Sequence, residues 1–254
     1  MALHNNPVTG ISYFLRGFEL IWRPRLRTYV LVPLIVNVLL FGGLLWFGTD
    51  RVSDFVDAQL PDWLDWLSWL LVPLFFLVAL VVSGFLFNMV ATFIASPFNG
   101  LLAEAVEREV TGRTAPGEGG FKKMMAELAH TLASELRKLL YVIGWAIPMV
   151  ILMLIPGINV IGTFLWMLFG AWMLAVTYID YPMGNHGLHF SVQRGRLRSK
   201  RWLSLGFGGA VMFALTIPIL NFLVVPWAVA GATLMWVEQF ANDPDAVPAI
   251  ESRD

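Results

Sequence analysis

Cysteine is absent from this chain. That excludes a disulfide framework, thiolate chemistry and any cysteine metal site. Charge is scarce as well, since only 14% of the 254 residues are Asp, Glu, Lys or Arg. The net charge is −1, which offers no long-range attraction to nucleic acid. No glycine-rich lysine loop of the nucleotide-binding kind occurs, which argues against ATP-driven pumping within this chain. His4, His130, His186 and His189 lack metal spacing; His186 and His189 are three apart but stand in a Pro/Gly-rich stretch. Ser83 and Ser96 have no histidine partner in the apolar runs. With no nucleophile–base pair and no metal constellation, an enzyme is disfavoured. No cofactor is expected.

Apolar residues are abundant instead, at 57% with a mean hydropathy of +0.69. A soluble domain of this size does not need that much apolar surface, so lipid is the expected solvent. Four runs carry no charge: Thr28–Thr49, Trp66–Ala103, Leu139–Ile179 and Trp202–Val237, of 22, 38, 41 and 36 residues. No run holds a charge for a proton relay, which points a transported ion toward the membrane boundary or a shared lumen. The first run is too long for a signal-peptide core and reads as a retained span.

Taken in order, residues 1–27 hold Arg16, Arg23, Arg25 and Arg27 against Glu19 alone. Ile11, Phe14, Leu15, Phe18, Ile21 and Trp22 recur at helical spacing, which predicts a short interfacial helix over Gly10–Trp22. Pro24 is expected to break it and start the first span. The loop from Asp50 to Asp65 carries five aspartates against Arg51. Basic before and acidic after place the N-terminus in the cytoplasm. Trp63, Trp66 and Trp69 then form an aromatic belt.

The 38-residue run is too long for one crossing. Ser96-Pro97 offers the break, with serine capping and proline at the first helical position. A helix over Pro97–Val110, closed by Gly112, follows. On it Glu104 and Arg108 are four apart and suited to pair, with Glu107 beside them. Residues 104–138 carry six bases and six acids and read as cytoplasmic helices. Within them, Phe121 to Leu140 show an apolar stripe suited to packing on protein.

The last two runs are interrupted by Ile155-Pro156-Gly157-Ile158-Asn159 and Ile217-Pro218-Ile219-Leu220-Asn221, each followed by a Gly-Ala pair. This is a weak internal repeat of two helical hairpins. Returning hairpins keep the basic cluster Arg194 to Arg201 on the cytoplasmic side. The arms Trp202–Thr216 and Phe222–Val237 have 15 and 16 residues, short of the roughly 20 that a crossing needs. The hairpins are therefore expected to enter only part of the bilayer. The tail after Val237 is polar, acidic and expected to fray.

Three arginines in five residues at the mouth of the first span invite two readings. One is positive-inside anchoring. The other is an anion site, in which guanidinium and helix-start N–H groups hold an oxyanion together.

The pieces Pro33-Leu34-x-x-Asn37, Ser96-Pro97-Phe98-Asn99-Gly100-Leu101-Leu102-Ala103-Glu104, Ile155-Pro156-Gly157, Ala171-Trp172-Met173-Leu174-Ala175, Asp180-Tyr181-Pro182 with Asn185-His186, and Gly231-Ala232-Thr233-x-Met235-Trp236 resemble the CysZ family of bacterial inner-membrane sulfate transporters. The resemblance runs from about residue 10 to 240 in order. It implies an all-α integral membrane protein with two long transmembrane helices, about 28–49 and 66–95, and two partially inserted hairpins, about 139–179 and 202–237. Cytoplasmic helices over 97–138 would complete a single membrane domain to residue 240, and 241–254 would form the tail. It implies homo-oligomers in the lipid bilayer, and sulfate import for cysteine biosynthesis without ATP hydrolysis by this chain. Sulfite and related oxyanions are further candidate substrates. A membrane scaffold or accessory subunit of an anion-uptake system is the alternative.

In the family a Gly-hydrophobic-Arg-Arg stretch at the start of the first span binds sulfate, and the matching positions are Arg25, Leu26, Arg27 and Thr28. Arg27 keeps the first arginine; Arg25 replaces the glycine and Thr28 the second arginine. Where the chain departs from that pattern, Arg25 is expected to supply the missing charge from two residues back and Thr28 to donate a hydroxyl. Glu104, Glu107 and Arg108 are candidates for gating or assembly, with an ordinary helix salt bridge as the plainer reading. Asp180 and His186 fit the family pattern and are expected to hold loop structure rather than substrate.

Overall fold

The computed structural model describes residues 5–36, 38–39, 42–43, 74, 77, 98–112 and 121–241, with side chains withheld at 121–137, 218, 219 and 222. All the regular structure among the described residues is helical. The helices are α1 (Pro7–Ile21), α2 (Arg27–Val36), α3 (98–111), α4 (Phe121–Leu154), α5 (Asn159–Asn185), α6 (Phe190–Ser199), α7 (Arg201–Leu215) and α8 (Pro218–Gln239). Two compact units emerge: Met1–Arg27 with Asn99–Asp254, and Thr28–Phe98. In the second, the described residues are chiefly those of α2. The expected second span apart from residues 74 and 77, the aspartate loop, the tryptophan belt and the Ser96-Pro97 cap lie outside the described residues, as do the side chains of the stripe over 121–137.

In the first unit, α1 starts earlier than the apolar spacing implied. Asn6 caps it by accepting the Val8 N–H at 2.9 Å, and Pro7 stands at the first helical position, where its missing N–H costs nothing. The helix packs on α7 and α8. This splits the expected apolar stripe in two. Phe14 and Ile21 enter the core, while Ile11, Leu15, Phe18 and Trp22 stay exposed.

Glycine makes these contacts possible. A Cβ at Gly17 would lie 2.6 Å from the Gly231 nitrogen and from the Trp227 carbonyl oxygen on α8. One at Gly10 would collide with the α7 backbone at Leu203 and Phe207, and one at Gly208 with Ala171 on α5. Such close backbone approach is the usual means of joining helices where lipid gives apolar surfaces no reason to associate. Phe14 stacks on Trp227 with centroids 4.1 Å apart, and the Trp227 indole N–H donates to the Phe14 carbonyl.

The two hairpins are present as helical hairpins. Helices α4 and α5 run antiparallel, with Gly162 against Met153 near the tip, Tyr141 against Phe169 midway and Lys138 against Asp180 at the open end. Helices α7 and α8 do the same, with Phe207 against Gly231 and Lys200 against Gln239. Their tips differ. In the first, Pro156 and Gly157 form the turn, and Gly157 has φ +86°, a value that favours glycine. In the second, Thr216 and Ile217 form the turn and Pro218 is the first residue of α8. Both Gly-Ala pairs lie at helix contacts, Ala171 against Gly208 and Gly231 against Tyr13.

Helix α4 runs unbroken for 34 residues, from charged to apolar composition. With 27 residues, α5 is the one helix among those described that is long and apolar enough to cross a membrane, at roughly 40 Å. Leu139, Leu140, Ile151, Leu154, Val160 and Phe164 leave the first hairpin with an exposed apolar surface, which suits lipid contact. The expectation of fraying beyond Val237 is corrected at its start: α8 reaches Gln239, and Glu238 and Gln239 both bond to α1. Residues 242–254 lie outside the described set.

Candidate functional site

Between α1 and α2 the chain turns through 22–26. Pro24 falls within this turn, and α2 starts three residues later than the proline suggested, at Arg27. The Leu26 and Arg27 amides both donate to the Arg23 carbonyl, at 2.9 and 3.0 Å. The Arg27 N–H is therefore already taken, and the guanidinium groups carry the case for an anion site at this turn. Leu26 is 1% exposed and pins the turn to the first unit. Arg25, Arg27 and Thr28 are exposed. Among the described residues, no hydrogen bond or ion pair engages the Arg27 side chain.

Arg23 and Arg25 are engaged, by a residue that spacing alone did not reveal. Glu109 on α3 faces both, with one carboxylate oxygen 3.4 Å from Arg23 Nη1 and the other 3.5 Å from Arg25 Nη1. A cleft of about 300 Å³ opens beside this carboxylate, lined by Arg16, Glu19, Arg23, Glu109 and Glu238, with Leu20, Val110 and Leu234.

Helix α3 presents Asn99, Leu102, Ala103, Val106 and Glu107 as its buried face, a spacing set by the helical period. Gly112, at φ +68°, closes the helix with its N–H on the Arg108 carbonyl, as the sequence implied. The expected Glu104–Arg108 pair does not form among the described residues. Glu107, on the buried face, instead accepts His186 Nε2 at 2.8 and 3.0 Å. A carboxylate 8% exposed demands a partner, whereas an exposed i,i+4 pair is worth only about 0.2–0.5 kcal/mol. Burial holds the Glu104 carboxyl above the ordinary range, with Arg108 opposing and Glu107 reinforcing the shift. Arg108 is exposed.

The stretch from Asp180 to His186 is a structural knot. Asp180 accepts Lys138 Nζ at 2.5 Å and Gln193 Nε2 at 2.6 Å, joining α4, α5 and α6. Asn99 donates to the Tyr181 hydroxyl, and Asn185 donates to the Gly100 carbonyl. Together with His186 and Glu107, these contacts clamp α3 to the end of α5. Three members of the basic cluster are also committed to structure: Arg194 lies over the Tyr141 and Phe190 rings, Arg196 over Trp236, and Lys200 donates to the Gln239 carbonyl at 2.6 Å.

A second polar knot sits at the other end of the cleft. Glu238 accepts both Arg16 terminal nitrogens, at 2.7 and 3.0 Å, and the Tyr13 hydroxyl at 2.9 Å. Gln239 donates to the Tyr13 oxygen at 2.7 Å. The Arg16 hydrogen bonds hold Glu238 below its ordinary pKa, and burial pushes Tyr13 up to about 12. Nothing in the local spacing flagged Glu238 or Glu109, because their partners are far away in the chain.

Residues 13–226 match the family described as Sulfate transporter CysZ/Etoposide-induced protein 2.4. A Pseudomonas aeruginosa protein named Sulfate transporter CysZ is 45% identical over 235 residues, covering 91% of this chain and 96% of the relative. One of that name from Pseudomonas syringae pv. tomato is 44% identical over 250 residues, covering 97% and 98%. Another, from Vibrio parahaemolyticus, is 41% identical over 246 residues, covering 95% and 99%.

Proposed function

The chain belongs to the family of Sulfate transporter CysZ, and from that membership we propose that it transports sulfate across the bacterial inner membrane to supply cysteine biosynthesis. The observation that carries this reading is end-to-end identity of 41–45% with proteins so named. It is a membrane transporter rather than an enzyme, and it does not itself hydrolyse ATP. The N-terminus lies in the cytoplasm, on the charge bias of residues 1–65. The chain works as a homo-oligomer. The exposed apolar faces of the two hairpins support lipid contact, and the 15 residues of α7 support partial insertion of the second, whereas its other arm, α8, has 22 residues rather than the expected 16.

Arg25, Leu26, Arg27 and Thr28 form the sulfate site. Sulfate is a strongly hydrated dianion, so a site must replace many water contacts, and guanidinium forks do this well. Arg27 is exposed and has no competing acid among the described residues, while buried Leu26 fixes its backbone. Glu104, Glu107 and Arg108 serve gating or assembly, with Glu107 bonded to His186 within the same chain.

The test is labelled-sulfate uptake into liposomes that contain only this protein, wild type beside Arg27→Ala. Uptake by wild type should fall at least tenfold in the variant, the loss of about 1.4 kcal/mol expected for one charge-assisted contact, with folding and oligomer size unchanged. No uptake by wild type in tight vesicles would assign the protein an accessory role and leave the arginines as a membrane anchor.

A further inference from the structure

The arginine turn is already neutralised in part by an acid from elsewhere in the chain. Glu109 places one carboxylate oxygen toward Arg23 and the other toward Arg25. This is the arrangement in which an oxyanion would bridge the same two guanidinium groups. The contacts are long, 3.4 and 3.5 Å, beyond the 2.7–2.9 Å typical of a committed charge-assisted bond. The Arg16–Glu238 pair in the same cleft shows what commitment looks like, with two contacts at 2.7 and 3.0 Å and a third donor from Tyr13. Arg25 is 86% exposed and Arg23 52%, so Glu109 neutralises them without burying them. The carboxylate itself is 21% exposed and borders the polar cleft, which leaves water and ions a path to it.

We propose that Glu109 is a built-in competing anion for the sulfate site: it occupies Arg23 and Arg25 when the site is empty, and incoming sulfate displaces it. The proposal rests on the sulfate-site reading above and adds two residues to it, Arg23 as a further anion contact and Glu109 as the residue that sets affinity. The chemistry favours such a device. Three guanidinium groups within five residues and no counter-ion would hold a dianion tightly and release it slowly. A tethered carboxylate lowers the affinity, and by returning to the arginines it helps expel the ion. An exposed ion pair is worth little, so its displacement is a small barrier.

The experiment compares wild type, Glu109→Gln, Glu19→Gln and Arg27→Ala, each full-length in detergent and in liposomes. Sulfate affinity is read by titration calorimetry, and uptake by its half-saturating concentration and maximal rate. Glu109→Gln should bind sulfate about three- to fivefold more tightly, the factor expected for losing one exposed competing pair. Its half-saturating concentration should fall and its maximal uptake should slow. Glu19→Gln removes the same charge from the same cleft without touching Arg23 or Arg25, and should leave affinity within about twofold of wild type. Equal tightening in both would reduce the effect to the general field of the cleft and overturn the proposal. Unchanged or weaker binding by Glu109→Gln, while Arg27→Ala still loses affinity, would overturn it and leave the sulfate site standing. Absence of sulfate binding by wild type would remove the sulfate site itself. Should Glu109→Gln not fold, Glu109→Asp, which withdraws the carboxylate by one methylene, must tighten binding in the same sense.

Discussion

A single methyl group on α1 should test how this fold is joined. In Gly17→Ala the new Cβ would stand 2.6 Å from the Gly231 nitrogen, 2.6 Å from the Trp227 carbonyl oxygen and 2.8 Å from the Gly231 Cα. Ordinary contact needs about 3.5–4.0 Å. All three neighbours are backbone, so no side chain can swing aside, and α1 must back away from α8 by about 1 Å. The Phe14–Trp227 stack, the Trp227 indole bond and the Arg16–Glu238 pair all span that interface and must loosen with it. Overpacking costs about 1–3 kcal/mol; against it stands the gain of about 1 kcal/mol from replacing a helical glycine. The net expectation is a loss of up to about 2 kcal/mol, or a fall in melting temperature of up to about 8 °C. Gly195→Ala on α6 is the control, because a Cβ there meets nothing within 4 Å, so it should gain stability by the same propensity term. Thermal unfolding of both variants in one detergent checks this. A Gly17→Ala protein as stable as the Gly195→Ala protein would refute the close approach of α1 and α8.

The α1–α8 polar knot should make stability depend on pH at both ends. Glu238 is lowered from its ordinary 4.5, chiefly by Arg16. Its contribution is therefore full above about 4.5 and is lost as pH falls through the folded-state value. Tyr13 is raised from 10.0 to about 12 by burial. Its contribution is full below 10 and is lost as pH rises toward 12. Glu238→Gln should flatten the acid limb of a melting-temperature profile and leave an alkaline limb; an unchanged acid limb would show that Glu238 does not carry it. Asp180→Ala should cost about 1–3 kcal/mol, because it removes the acceptor that ties Lys138 and the 1% exposed Gln193 amide to α5, leaving Gln193 only its bond to the Leu188 carbonyl. Denaturation midpoints equal to wild type would count against the clamp. Arg27→Ala and Glu109→Gln complete the set through sulfate uptake and sulfate affinity.

What the sequence made legible was whatever local chemistry writes into a few neighbouring residues. Gly112 ends α3 because only glycine readily takes φ +68° there. Ile155-Pro156-Gly157 and Ile217-Pro218 interrupt apolar runs, and each falls at a hairpin tip. Asp180 and His186 are expected from the sequence to hold loop structure; instead Asp180 lies within α5 and His186 caps its C-terminal end. The pairings were less legible. Glu104 and Arg108 have the right spacing and form no pair among the described residues, since the buried face of α3 falls on Glu107, whose carboxylate is hydrogen-bonded to His186, 79 residues away. Glu238 looked like the start of a frayed tail until α1, 222 residues away, supplied Arg16. No periodicity encodes such distances.

The arginine turn combines both cases, and this bears on how it works. Its composition was plain from the sequence, and so was the competition between an anchor and an anion site. Its electrostatic state was not, because that depends on Glu109, 84 and 86 residues beyond Arg25 and Arg23. On the proposal that this turn is the transport site, it has to bind its ion and then let it go, so the residue that weakens the site matters as much as those that form it. The two acids flanking the cleft divide that work. Glu238 grips Arg16 with short bonds and holds α1 to α8. Glu109 faces Arg23 and Arg25 across long ones and stays displaceable. The same pair of residue types thus gives a fixed strut on α1 and, on this proposal, an exchangeable counter-ion just past its C-terminal end, and the difference lies in bond length, the exposure of Arg25 and the third donor that Tyr13 supplies only to Glu238.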